Sequence, residues 1–174
     1  HEEATLLVRS LLSAGVDTTV NGIGNAMYCL AQFPEQYDKL VANPTLARQT
    51  FEEALRFESP VQTFFRTVNR PIEFAGTPML ANDKVIFFLA AANRDGRQWK
   101  NPDVFDIERK PVGHMAFGSG IHGCVGQAVA RMEGELIFTA MTKRVKRIEM
   151  LGEPTRRLNN TLRALESLPV RFVP

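Results

Sequence analysis

The sequence predicts a mainly α fold with small β-sheets (α+β), and three observations carry that prediction. A long stretch near the start, Thr5 to Leu30, is apolar almost all round. Two further helices are each announced by a proline in the first turn, after which the chain changes to short β-prone runs punctuated by Gly, Pro and Asn-Asp. A long irregular segment then leads into a last long helix. With 174 residues, 44% hydrophobic and 23% charged, the chain has ordinary globular composition and room for one domain with its own core.

Taken in order, residues 5–30 form the first helix, whose apolar circumference suits burial on most sides. Gly15, Asp17 and Thr18 interrupt it, so its polar centre is the anomaly. Residues 33–59 hold two helices, one restarting at Phe33-Pro34-Glu35 and one after Asn43-Pro44 that must stop ahead of Pro60. Residues 61–90 read as β-hairpins, with Ile72 to Phe74 and Val85 to Leu89 as strand-like runs separated by Gly76, Pro78 and an Asn82-Asp83 turn. Residues 91–123 are rich in Gly, Pro, Asn and Asp with little periodicity, a length of irregular chain that itself points to function. A helix is expected over 125–147, and 148–174 read as turns and a final short strand. There is no internal repeat and no low-complexity segment.

Charge and cysteine content narrow the function classes. Lys+Arg 21 against Asp+Glu 19 leaves a formal net charge of +2, which argues against a nucleic-acid binder. No apolar run reaches the ~18 residues of a membrane-spanning helix, and no signal peptide opens the chain, so the expectation is a cytoplasmic protein without a membrane partner. Cys29 and Cys124 share no metal-type spacing, so neither a disulfide nor a zinc framework is expected, and Cys29 on an apolar helix reads as core. The chain opens on His1 rather than Met, which leaves two readings, a cloning remnant or a start inside a longer gene product.

The stretch FGSGIHGCVGQAVAR, Phe117 to Arg131, carries two competing signatures. Gly118, Gly120 and Gly123 spell the G-x-G-x-x-G of dinucleotide folds, which needs a strand before it and an acidic residue about 20 residues on. Both conditions fail: Pro111, Gly113 and His114 spoil an upstream strand, and Glu133 and Glu135 lie inside the following helix. The alternative is Cys124 at the N-terminal edge of that helix, where first-turn N–H groups favour thiolate, the species that binds metal. Glycines at 120, 123 and 126 then let the backbone turn sharply and approach a flat macrocycle, and free N–H groups can point at the sulfur.

F-G-x-G-x-H-x-C-x-G, as Phe117, Gly118, Gly120, His122, Cys124 and Gly126, resembles the haem-binding loop of the cytochrome P450 family. EALR, Glu53 to Arg56, resembles its E-x-x-R helix motif; NPDVFDIER, ending at Arg109, its meander; and AGVDTT, Ala14 to Thr19, its oxygen-activating helix. ANRD, Ala92 to Asp95, is a further match, followed by Gly96 where many members carry Pro. The resemblance implies the C-terminal portion of that fold, from the oxygen-binding helix onward, a complete member being more than twice as long.

The resemblance also implies roles. The cofactor would be haem b, its iron held by an axial Cys124 thiolate, with Phe117, Gly118, Gly120, His122 and Gly126 shaping the loop and Ala14 and Gly15 leaving space above the haem plane. Asp17 and Thr18 would relay protons to dioxygen, the Thr18 hydroxyl being able to bond back to the Ala14 carbonyl. Arg66 and His122 would hold haem propionates, with His114 left open. Glu53 and Arg56, three apart on one helix face, would join Arg109 in a structural cluster behind the loop. RSLLSAGVDTTVNG and FESPVQTFFRT most resemble bacterial members that oxidise para-substituted benzoic acids, which would place Arg9 and Ser10 at the substrate carboxylate and Phe64 along its ring.

The implied partners are a small organic substrate, O2 and a ferredoxin-type electron donor, the last docking near the basic run KRVKR, Lys143 to Arg147, at a helix C-terminus. Because the resemblance covers only part of the fold, the first helix is expected to expose a large apolar face, which predicts a homo-oligomer interface, another partner or instability. Three function classes stay open: a haem-thiolate monooxygenase, a truncated non-catalytic relic that self-associates with or without haem, and a haem-binding module without turnover.

Overall fold

A computed structural model describes residues 2–174. Helix α1 runs Glu2–Gln32, α2 Pro34–Ala42 and α3 Ala47–Glu58, with a 3-10 turn at Pro44–Leu46 between the last two. Pro34 and Pro44 each occupy a first-turn position, where the missing N–H costs no hydrogen bond. Strand β1, Thr63–Thr67, pairs antiparallel with β4, Lys84–Phe88, and encloses the small hairpin of β2, Ile72–Phe74, with β3, Thr77–Met79. A short helix α4, Leu89–Ala92, opens the irregular segment, and 3-10 turns at Met115–Phe117 and Gly120–His122 close it. Helix α5, Gln127–Thr142, leads to β5, Arg147–Met150, β6, Thr155–Arg157, β7, Ala164–Ser167, and β8, Val170–Val173. All four sheets are two-stranded and antiparallel, pairing β5 with β8 and β6 with β7.

The core lies where α3 crosses the C-terminal half of α1 and packs along α5. Ala26, Cys29 and Leu30 of α1, Tyr37 and Leu40 of α2, Phe51, Ala54 and Leu55 of α3, and Phe138 of α5 are buried together. Phe105 and Ile107 of the irregular segment join them, so this segment is anchored by apolar side chains despite its composition. Fully burying one such side chain is worth about 1.5–3 kcal/mol.

Three expectations are corrected. The first helix is not buried on most sides: residues 3–17 are exposed, and burial begins only at Gly22. Its apolar circumference reports composition, not the presence of neighbours on every side. The last helix ends at Thr142 instead of 147, so KRVKR lies in the turn and first strand residue beyond it and does not occupy a helix end throughout. Tertiary bonds decide this, because the Tyr37 hydroxyl donates to the Val145 carbonyl at 2.9 Å and the Lys146 N–H donates to the Val173 carbonyl at 2.7 Å. Residues 148–174 accordingly hold most of four strands rather than one.

Candidate functional site

Cys124 lies on the loop between the two 3-10 turns and α5, partly buried, three residues ahead of the first residue of the helix. Its N–H donates to the Phe117 carbonyl at 2.8 Å, closing the loop across Gly118 to Gly123. Gly118 (φ +69°) and Gly120 (φ +60°) hold left-handed backbone that L side chains rarely adopt, and a Cβ on Gly118 would also stand 3.0 Å from the His122 carbonyl oxygen. Gly123 and Gly126 have ordinary negative φ, so the sharp turning expected at 120, 123 and 126 falls instead at 118 and 120. Gly126 lies beside the sulfur, but a Cβ there would stand 3.9 Å from Cys124 Sγ, an ordinary contact that does not by itself require glycine.

Glu53, Arg56 and Arg109 come together. Arg56 Nε and Nη2 each donate to Glu53 at 2.8 Å in a bidentate fork, and Arg109 Nε donates to Glu53 Oε1 at 3.0 Å. Arg56 also donates to the carbonyls of Asn93 and Pro102, and Arg109 to those of Lys100 and Asn101, so one buried carboxylate organises the irregular segment through two guanidinium groups. Glu53 and Arg56 have no side-chain exposure at all. Such a group is not the surface ion pair that an i,i+3 spacing by itself suggests.

The remaining expected residues are dispersed. The Thr18 hydroxyl donates to the Ala14 carbonyl at 2.7 Å, which leaves its oxygen free to accept, and Asp17, Ala14 and Gly15 are exposed beside it. The Ser10 hydroxyl donates to the Leu6 carbonyl at 2.8 Å, and Arg9 and Ser10 both lie on the exposed half of α1. Arg66 on β1 donates to the Phe65 carbonyl and stands over the rings of Phe64 and Phe87 at 5.9 and 6.0 Å. His122 is exposed in the second 3-10 turn, and no hydrogen bond or ion pair joins it to Arg66 among the described residues. Cys29 is buried in the core, where burial pushes its thiol well above the ordinary range.

Two charged clusters escaped the sequence reading. Glu52 meets His114 Nε2 at 2.7 Å and is bonded by Arg131. Burial pushes the Glu52 carboxyl up, but the bonds from His114 and Arg131 outweigh it and hold the group below its ordinary value. Glu58 is bonded by Arg156 Nη2 and Arg163 Nε, both at 2.7 Å, and Arg156 also donates to Asn25 Oδ1 at 3.0 Å, tying α1 to the C-terminal strands. The one signal available was the pair of adjacent acids Glu52-Glu53 on α3, since acids on a helix otherwise packed in the core require partners.

The family model described as Cytochrome P450 matches residues 1–163. Cytochrome p450 CYP199A2 of Rhodopseudomonas palustris is 60% identical over 173 residues, covering 99% of this chain and 42% of that protein. The biotin biosynthesis cytochrome P450 of Bacillus subtilis is 41% identical, covering 99% of this chain and 44% of that protein. Among solved structures, CYP109E1 from Bacillus megaterium in complex with corticosterone superposes with a TM-score of 0.93 at 34% identity, over 98% of this chain and 47% of that one. P450BioI bound to a fatty-acyl-ligated acyl carrier protein superposes with a TM-score of 0.88 at 42% identity, over 92% of this chain and 42% of that one. The chain thus spans less than half the length of the curated relatives it matches. With a helical architecture, a thiol-bearing glycine loop and a sequence match that run over nearly its whole length, this chain belongs to the cytochrome P450 family.

Proposed function

We propose that the chain carries the thiolate side of a haem-dependent bacterial monooxygenase, cytoplasmic and supplied with electrons by a ferredoxin-type donor, that hydroxylates or O-demethylates a small aromatic acid. The observation that carries this reading is the Cys124 loop, one partly exposed thiol on a backbone shaped by two left-handed glycines. A bare metal ion in a structural site needs about four protein ligands, and the described residues contain no cluster of three or more His, Cys, Asp or Glu that could supply them. A metal already held by a macrocycle asks the protein for as little as one further donor, which Cys124 would provide. Ile121 and Val125, on either side of Cys124, are 97% and 84% exposed and offer apolar surface to such a ring. The donor set therefore fits haem.

Bound haem would supply the centre at which dioxygen is activated with two electrons. Cys124 would hold it as thiolate, and Arg66 and His122 would take its carboxylates, the guanidinium fork of Arg66 matching a carboxylate in shape. Thr18, with its proton committed to the Ala14 carbonyl, presents an acceptor oxygen on α1, and Asp17 next to it, exposed to solvent, would relay protons drawn from water. Arg9 and Ser10 would neutralise a substrate carboxylate, for which Ser10 must release its bond to Leu6, and Phe64 would face the substrate ring. The benzoate class is supported by the resemblance of the segments around Arg9 and Phe64 to para-substituted-benzoate oxidisers.

The test is reconstitution of the 174-residue chain with haem, reduction, and addition of carbon monoxide. A strongly red-shifted Soret band that disappears in Cys124→Ala is expected; absence of haem uptake, or a band typical of neutral ligation, overturns the reading. One observation favours a second reading, a self-associating chain without haem: Leu6, Leu7, Val8, Leu11, Leu12 and Val16 leave half of α1 apolar and exposed. Haem-free oligomers in sedimentation velocity would select it.

A further inference from the structure

Glu52 lies on α3 beside the Glu53 cluster but belongs to a separate set of contacts. Its Oε2 meets His114 Nε2 at 2.7 Å, and its Oε1 is bonded by Arg131 Nε from α5. The two partners converge on one side chain. The Phe117 ring stands 5.8 Å from the His114 ring, centroid to centroid, and the Arg131 guanidinium lies 4.5 Å from the Phe117 centroid. The Phe117 carbonyl is the acceptor of the Cys124 N–H at 2.8 Å.

His114 also acts on the backbone. Its Nδ1 accepts the Ala116 N–H at 3.2 Å and so caps the 3-10 turn Met115–Phe117. A ring nitrogen that accepts an amide proton carries none itself, which places the ring proton on Nε2, donating to Glu52. The Met115 N–H donates to Asn93 Oδ1 at 2.6 Å and fixes the first residue of the same turn. Two donors thus converge on the Glu52 carboxylate, and each leads by a short path to Phe117. An amide at this position offers one acceptor in place of two, so one donor would face an N–H.

We propose that Glu52 is a positioning residue for the Cys124 loop: acting through His114 and Arg131, it sets the turn that ends at Phe117 and thereby the backbone that presents the thiol. The consequence for haem rests on the reading of Cys124 given above, whereas the test does not. Cys29 is completely buried, so a disulfide reagent such as 5,5′-dithiobis(2-nitrobenzoate) reads Cys124 in the folded chain.

In the haem-free 174-residue chain, the rate of Cys124 modification and the hydrogen exchange of the Cys124 amide are measured together. Glu52→Gln should raise both roughly fivefold, the population change that accompanies a lost helix cap. His114→Asn keeps an acceptor for the Ala116 N–H but loses the reach to Glu52, and should do the same. Because the two act in series, the double variant should match a single one and not the product of both. Unchanged Cys124 rates in Glu52→Gln, or a double variant at the product of the singles, overturns the proposal. If Glu52→Gln also makes Cys29 reactive, the whole chain has opened and His114→Asn decides by the same readout. Glu52-dependent protection of Cys124 in a chain without a thiolate haem band removes the haem reading and keeps this one; a thiolate band with Cys124 rates indifferent to Glu52 does the reverse.

Discussion

Arg56 and Glu53 on α3 are completely buried, whereas Leu7 and Leu12 on α1 are 62% and 67% exposed. The two regions invert the usual distribution of polarity, and for opposite reasons. Around α3, charge is buried because each guanidinium nitrogen of Arg56 finds an acceptor: one carboxylate serves two guanidinium groups, and these close off the carbonyls of a segment with little regular structure of its own. Along the first half of α1, apolar side chains are exposed because no element of the described chain lies over them. The contrast shows that hydrophobicity describes what a surface can do, and burial depends on what stands opposite it.

Removing a partner from the buried set should break the comparison most severely. Arg56→Ala leaves Glu53 charged and buried and is expected to cost about 3–5 kcal/mol, read as a lower urea midpoint or failure to fold. Next comes the packing that holds α3 against α5. A Cβ on Gly134 would fall on the Phe51 ring well inside the 3.0 Å that real Cβ atoms keep, so Gly134→Ala should destabilise by about 1–3 kcal/mol in the same titration.

The Glu52 cluster predicts a pH dependence with a definite sign. The folded carboxyl titrates below its ordinary value of 4.5, so its contribution is fully present above that pH and is lost as pH falls through the lower folded value. Urea unfolding repeated from pH 7 downward should show stability declining below about 4.5, and Glu52→Gln should flatten part of that decline. A variant with an unchanged slope would show that the bonds from His114 and Arg131 add no folding energy. The smallest effect belongs to α1: Leu12→Ser should alter the stability of the monomer by no more than about 0.5 kcal/mol, while weakening any self-association seen by sedimentation velocity. A loss as large as that of Gly134→Ala would mean that this face is covered within the folded monomer.

Features that depend on near neighbours were legible in the chain. Pro34 and Pro44 announced their helices, the three-residue spacing of Glu53 and Arg56 put them on one face, and the glycines ahead of Cys124 announced a tight loop. The end of α5 was not legible, since TAMTKRVKRIEM contains no Gly or Pro to stop a helix and only pairing with Val170–Val173 turns Arg147–Met150 into a strand. Equally hidden was the Glu52 cluster, whose partners lie 62 and 79 residues away. His114 and Arg131 taken alone are ordinary polar residues, and no spacing rule links them across such distances.

By itself the sequence determined the mainly α class with small sheets, the thiol loop and the motifs that place the chain in its family, because each is written in residues a few positions apart. Which half of α1 is buried, where α5 stops and which carboxylate governs the Cys124 loop were decided by tertiary structure. Those outcomes turn on which groups meet across long stretches of chain, and burial and charge pairing acquire a sign only once both partners are in place.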